Sequence, residues 1–192
     1  KKSLGISDKL SDYHHIATIA NIRLKQNHEG MAYERFTEEG GAIALLPYGL
    51  PNQMTLVLTA HSDQAKEYHD LTSQAFLEKL TDQMGGRLSF TAVSKRIQVP
   101  LNMKIATHQT ARRAILMGNS AHFLHPIAAQ GLNLSIQDIS ALIQLIQRQS
   151  KPVLNLDYIR SASMLHDYVC AREESQAQYI RVTDKIATYY SS

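Results

Sequence analysis

The sequence carries a single cysteine, Cys170, and no tryptophan. One thiol cannot close a disulfide within the chain, and it cannot build a multi-cysteine zinc site. Long apolar runs are also missing. The richest windows, Ala42–Pro47, Met54–Ala60 and Leu132–Ile146, fall short of the ~20 uninterrupted apolar residues that a membrane span needs. The opening, KKSLGISDKL, lacks the apolar core of a signal peptide and an initiator Met, which reads as a piece cut from a longer protein. Charge of one sign is scarce. Against 17 Asp and Glu stand 20 Lys and Arg, a net +3 over 192 residues. That is no electrostatic footprint for nucleic acid, and no nucleic-acid partner is expected. What remains is 44% hydrophobic and 19% charged, an ordinary globular composition long enough to bury a core.

Residues 1–12 read as a polar lead-in. Tyr13–Gln26 places Ile16, Thr18, Ala20, Ile22 and Leu24 on one parity, the pattern of a half-buried strand. Met31–Thr37, Ala42–Pro47 and Gln53–Ala60 follow as strands between Gly- and Pro-bearing turns, which predicts an antiparallel meander of four. A helix is predicted over Gln64–Met84, capped by Asp63 and stopped by Gly85–Gly86. Arg87–Val99 reads as a strand ended by Pro100. Leu101–His108 and Ala114–Met117 (AILM) are extended, the latter with the continuous apolar character of a strand buried on both faces of a parallel sheet. Leu132–Gln149 is a strong helix with Leu132, Ile136, Ile139, Ile143 and Ile146 in one stripe, broken at Lys151–Pro152. Asn155–Tyr190 is mostly helical, and its AREES segment (171–175) looks solvated.

The chemically informative stretch is Gly118–Gly131, GNSAHFLHPIAAQG, between a strand and that helix. A helix starting near Gln130–Gly131 turns unpaired amides and a positive dipole end toward whatever lies before it. No Lys or Arg occurs from Ala114 to Gln147, so an anion there would be held by backbone rather than by charged side chains. Spacing alone leaves other readings open: a serine nucleophile elbow at Ser120, a metal pair from His122 and His125, or a purely structural loop with buried histidines.

GNSAHFLHPIAAQGLNLSIQD resembles the second flavin-binding motif of class A flavoprotein aromatic hydroxylases, G-D-A-A-H-x-x-x-P-x-x-G-Q-G-x-N-x-x-x-x-D, and is most similar to their ubiquinone-biosynthesis branch. AYERFTEEGGAIALLP (32–47) and LHDYVCAREESQAQYIRVTD (165–184) resemble further segments of that branch. The resemblance implies an enzyme of about twice this length that opens with a Rossmann unit carrying G-x-G-x-x-G. That fingerprint does not occur here. The expectation is therefore the C-terminal half: an α/β (α+β) chain with an antiparallel substrate-side sheet and a helix over 1–108, then over 109–192 the last strand and C-terminal helices of an FAD-binding Rossmann-like domain. By itself the piece is expected to bind FAD weakly or not at all and to be inactive.

For the cofactor, the resemblance implies Gly118 and Asn119 at the ribityl chain, Asn119 standing where the family has Asp. It implies Pro126 beside the isoalloxazine, and the main-chain amides of Gln130, Gly131, Leu132 and Asn133 at the N1/C2-carbonyl edge, where reduced flavin is anionic. Ala129 replaces a family Gly, at a cost if the backbone there is left-handed. His122 would hold the loop by hydrogen bonds, and no side chain is assigned as a proton-transfer catalyst. Arg35, Leu46 and Pro47 are substrate-wall candidates. The implied reaction is hydroxylation of the ring of a polyprenyl phenol, with NAD(P)H reducing FAD and O2 forming a C4a-hydroperoxide. The implied surroundings are the cytoplasm, the inner-membrane surface and partner enzymes of the ubiquinone pathway. Two alternatives stand beside it: a hydroxylase of another aromatic substrate, and a non-catalytic lipid- or partner-binding homologue.

Overall fold

The computed structural model describes residues 1–37, 40–149 and 153–190. They divide into two compact units. One comprises 1–12 with 102–188, the other 13–101 with 189–192. The boundary expected near 108 thus falls near 101, and the first twelve residues belong with the C-terminal part of the chain.

In the unit of residues 13–101, strand β1 (Asp8–Leu24) starts five residues earlier than its pattern predicts. Thr18, Ala20, Ile22 and Leu24 point inward on one parity, as read. Tyr13, His15 and Ala17 are buried on the other parity, and the alternation changes between Ala17 and Thr18. Strands β2 (Tyr33–Thr37), β3 (Gly41–Pro47) and β4 (Gln53–His61) form the antiparallel meander. β1 does not lead it. The order is β2-β3-β4-β1, with β5 (Phe90–Val93) and β6 (Ile97–Ala106) also pairing with β1. The reason lies in residues 25–32, which carry the chain past the β3–β4 turn. Leu24 donates its amide to Asn52 O and His28 to Pro51 O, each at 2.8 Å, and β1 pairs β4 from His15↔His61 to Arg23↔Gln53.

The single helix expected over 64–84 is two, α1 (Ser62–Asp70) and α2 (Ser73–Gln83). Leu71 leaves the helical region at ψ 145°, and the Thr72 hydroxyl accepts from Ala75 N at 3.2 Å to start α2. Arg96 donates to Tyr68 O at 2.9 Å and to Leu71 O, closing the end of α1, and its guanidinium lies 4.8 Å over the Phe76 ring. Ile43, Leu45, Met54, Leu56, Phe76 and Leu80 form the heart of this unit's core. Pro100 does not end a strand, because its fixed φ suits extended backbone and β6 runs through it.

In the other unit, the AILM run is not a parallel strand covered on both faces. β8 (Ala114–Ile115) pairs antiparallel with β7 (Thr110–Ala111) in a two-residue ladder, half-buried, and among the described residues no other strand pairs with it. A four-residue apolar run becomes an interior strand only when strands flank both of its edges. Strand β9 (His122–Phe123) pairs antiparallel with β6, Lys104↔Phe123 and Ile105↔His122. Helix α3 spans Gly131–Gln149, α4 Leu156–Arg160 and α5 Ala162–Tyr190. Asn155 caps α4, accepting from Tyr158 N at 3.0 Å. The break read at Lys151–Pro152 lies outside the described residues.

The apolar stripe of α3 is not its buried side. Leu132, Ile136, Ile139 and Ile143 are 48–71% exposed, whereas Leu134 and Asp138 are fully buried. The side of α3 that faces the interior is chosen by a carboxylate, for a reason that lies in the loop before it.

Candidate functional site: the loop before helix α3

The loop is held to β6 at one end and to α3 at the other. Ala106 donates its amide to Ala121 O at 2.8 Å beside the β6–β9 ladder. Residues 118–120 form a 3-10 turn whose first residue, Gly118, has φ 55°. A Cβ at that position would come within 3.1 Å of Ser135 Oγ on the first turns of α3. Glycine is therefore favoured twice over, by conformation and by the close approach of Ser135. Further on, the His125 Nδ1 accepts from Ile127 N at 3.2 Å, starting a second 3-10 turn over Pro126–Ala128. Ala129 then adopts φ 50°, ψ 26°, the left-handed bend that aims the chain into α3. The condition attached to the Gly-to-Ala difference is thus met.

The helical ladder begins with Leu134 N donating to Gln130 O at 2.9 Å. The amides of Gly131, Leu132 and Asn133 precede it and have no carbonyl one turn back to pair with. Leu132 and Asn133 are exposed, and a Cβ on Gly131 would meet nothing within 4 Å. The space before the helix is open. Nineteen residues of aligned peptides stand behind that end, and no cationic side chain from 114 to 147 competes with it.

Beneath the loop lies a buried ionic cluster. The Asp138 carboxylate, on the second turn of α3 and 0% exposed, accepts from His122 Nε2 at 2.6 Å on one oxygen. On the other it accepts from Arg172 Nε at 2.8 Å and Gln176 Nε2 at 2.7 Å, both on α5. Burial alone would raise this carboxyl, but the bonds from His122, Gln176 and Arg172 outweigh it and hold its pKa below the ordinary aspartate value. An ionised carboxylate can only accept, so His122 presents Nε2–H. Gln109 reaches the Gln176 amide, and Arg172 also donates to Gln137 Oε1 at 3.3 Å and Ser175 Oγ at 2.9 Å. Tyr168, fully buried beside the cluster, has its phenol pushed up chiefly by burial and then by the Asp138 charge.

His122 therefore anchors the loop, as the resemblance implied. Arg172 and Gln176 were missed. The AREES segment that reads as solvated turns Arg172 inward, and the signal available was spacing: Tyr168, Arg172 and Gln176 recur every fourth residue along one face of α5. Ser120 is exposed in a 3-10 turn, and the loop does not bend straight from strand into helix, which removes the elbow. Of the histidine pair, His122 donates Nε2–H to Asp138 and His125 accepts at Nδ1 from Ile127 N. No group of three His, Cys, Asp or Glu suited to a metal exists among the described residues.

The cofactor candidates Gly118, Asn119, Pro126, Gln130, Gly131, Leu132 and Asn133 all fall on this one loop and helix start, with Asn119 and Pro126 exposed. The substrate-wall candidates are not brought together. Across β2–β3–β4 the register puts Arg35 and Pro47 on the face of Ile43, Leu45 and Met54, and Leu46 on the opposite face. Arg35 reaches the end of α2, its guanidinium 2.8 Å from where a Cβ on Gly85 would stand.

A family model described as an FAD binding domain matches residues 2–153, four-fifths of the chain. The chain belongs to the FAD-binding domain family. Relatives of this chain include the ubiquinone hydroxylase UbiL of Rhodospirillum rubrum, 27% identical over the whole chain and 44% of that protein. The human mitochondrial ubiquinone biosynthesis monooxygenase COQ6 is 25% identical over the whole chain and 47% of that protein. The chain spans about half the length of the curated relatives it matches. Among solved structures, an HpxO variant of Klebsiella pneumoniae complexed with FAD superposes with a TM-score of 0.68 at 15% identity, over 98% of this chain and 49% of that one, a likeness of fold. No helix among the described residues is long and apolar enough to cross a membrane.

Proposed function

We propose that this chain is the flavin-edge half of an FAD-dependent monooxygenase that hydroxylates the aromatic ring of a polyprenyl phenol in ubiquinone biosynthesis, with NAD(P)H as reductant. The observation that carries the reading is the start of α3: three amides with no carbonyl one turn back, facing open space, behind a left-handed Ala129 and in front of a helix dipole. The names of the relatives supply the substrate class.

When bound, FAD supplies the redox chemistry that moves one oxygen atom from O2 to an activated ring. The chain's own part is positioning and electrostatics. Amides of Gly131, Leu132 and Asn133 would donate toward the flavin's N1/C2-carbonyl edge and stabilise negative charge there without a titrating group. Asn119 would hold the ribityl chain through its side-chain amide, and Pro126 would border the ring. The exposed Leu132–Ile143 stripe is covered by the upstream half that completes the FAD site. Contact with a membrane surface or with pathway enzymes brings the lipid-like substrate to the pocket.

Ala129 also weighs against the alternative of a degenerate binding module. The bend that glycine would make is made here in spite of the substitution. Against a hydroxylase of another aromatic substrate, the support is the naming of the relatives. The test is made on the full-length protein. FAD is titrated in while flavin absorbance and fluorescence are followed, and NAD(P)H oxidation and ring hydroxylation are then measured with polyprenyl and simple phenols. A flavin spectrum with polyprenyl-dependent product formation is expected. No bound flavin rejects the enzyme reading, and product only from small phenols rejects the substrate class.

A further inference from the structure

We infer that Arg172 and Gln176 of α5 are positioning residues for the flavin edge, acting through Asp138 and His122 on the loop that presents it; this rests on the FAD reading above. The cluster joins three elements far apart in sequence. His122 is the residue by which the loop enters β9, Asp138 lies on α3 about 10 Å along the helix from its exposed amides, and Arg172 and Gln176 come from α5. Both ends of the stretch from His122 to Asp138, 16 positions apart, are thus fixed on one carboxylate, and the cofactor candidates Pro126, Gln130, Gly131, Leu132 and Asn133 all lie within it.

The arrangement is more than packing. A buried carboxylate without a cation would be expelled or protonated, and a protonated Asp138 would turn one acceptor into a donor and lose part of the set. Arg172 supplies the compensating charge by a single Nε bond, while its terminal nitrogens go to Gln137 and Ser175. Its fork is fixed by three partners and so fixes Asp138 in turn. Gln176 adds a second bond to the same oxygen and is itself held by Gln109. The register of α3 against the loop, and so the direction of its first amides, is set from α5.

The experiment uses the full-length protein. FAD affinity is measured by flavin fluorescence, and amide hydrogen exchange is followed in the apoprotein for wild type, Arg172→Gln, Arg172→Lys and Gln176→Met. Arg172→Gln is expected to weaken FAD at least tenfold and to speed exchange at 119–133 about tenfold, with β3 and β4 amides unchanged. Arg172→Lys should restore only part of the affinity, because charge is kept while the fork that fixes Asp138 is lost. Gln176→Met should fall between, and it decides the matter if Arg172→Gln does not fold. In a double-mutant cycle with Pro126→Ala, the Pro126 change should cost less once Arg172 is gone, whereas a merely structural role would leave the two additive. A folded Arg172→Gln or Gln176→Met with wild-type affinity and loop exchange overturns the inference alone. Wild type that takes up no FAD overturns the cofactor reading, and this inference with it.

Discussion

Ala129 is an alanine doing what glycine does at lower cost. At φ 50° its Cβ crowds the following carbonyl, and the surrounding turn holds it there. Ala129→Gly should raise stability by about 1 kcal/mol, read as a higher denaturant midpoint at unchanged slope. Arg172 is the costlier position. Arg172→Met removes one partner of a fully buried pair and should lose about 3–5 kcal/mol. The same cluster makes a pH prediction. Asp138 is held below its unfolded value near 3.8, so its contribution is complete above that value and is lost as pH falls through the depressed one. Asp138→Asn should flatten that acid limb in a urea series below pH 4. His15 titrates higher up. It is buried against strand β4, and burial first, then the neighbouring His61, lower its pKa from 6.5. The folded state therefore binds its proton less readily than the unfolded chain, and stability declines as pH falls below about 6.5. His61→Gln should reduce that slope between pH 7 and 5.

At the scale of elements, periodicity located almost everything and misjudged how elements end and pair. The alternation was readable in the second half of β1 and in β4, where Ala20, Ile22 and Leu24 and then Met54, Leu56 and Leu58 fall on one covered face. The break between α1 and α2 was not, because Leu71 and Thr72 keep the apolar spacing while Thr72 also caps. Thr72→Ala should cost about 1 kcal/mol by chemical denaturation, which a continuous helix over 64–84 would not show. The strand order was hidden for another reason: the route of residues 25–32 depends on backbone bonds to Asn52 and Pro51, which no local pattern encodes. The start of α3 was legible from Gln130–Gly131 and from the absent cations. The inward turn of Arg172 was carried only by its four-residue spacing from Tyr168 and Gln176, since a charged residue followed by two glutamates on a long helix otherwise looks like any solvated one.

Over the whole chain the decisive feature is the α3 stripe. Four large aliphatic side chains at 132, 136, 139 and 143 line one exposed helix face, more than scattered surface hydrophobics. The 192-residue chain alone should bind an environment-sensitive apolar dye, and Ile136→Gln with Ile139→Gln should abolish most of that signal with little loss of helical circular dichroism. In the full-length protein the same pair should instead lower stability and FAD affinity together.

The sequence by itself determined the class of elements, the turn and helix-start chemistry around Gly118 to Asn133, and the family to which that motif points. These are local matters of backbone conformation and residue period. Tertiary structure alone decided which face of α3 is buried, which strand β1 joins, and that Arg172 and Gln176 complete the Asp138 cluster. Each of those depends on groups tens of residues apart meeting in space, where a buried charge must find its counter-charge and a side chain's burial is set by its neighbours rather than by its own polarity.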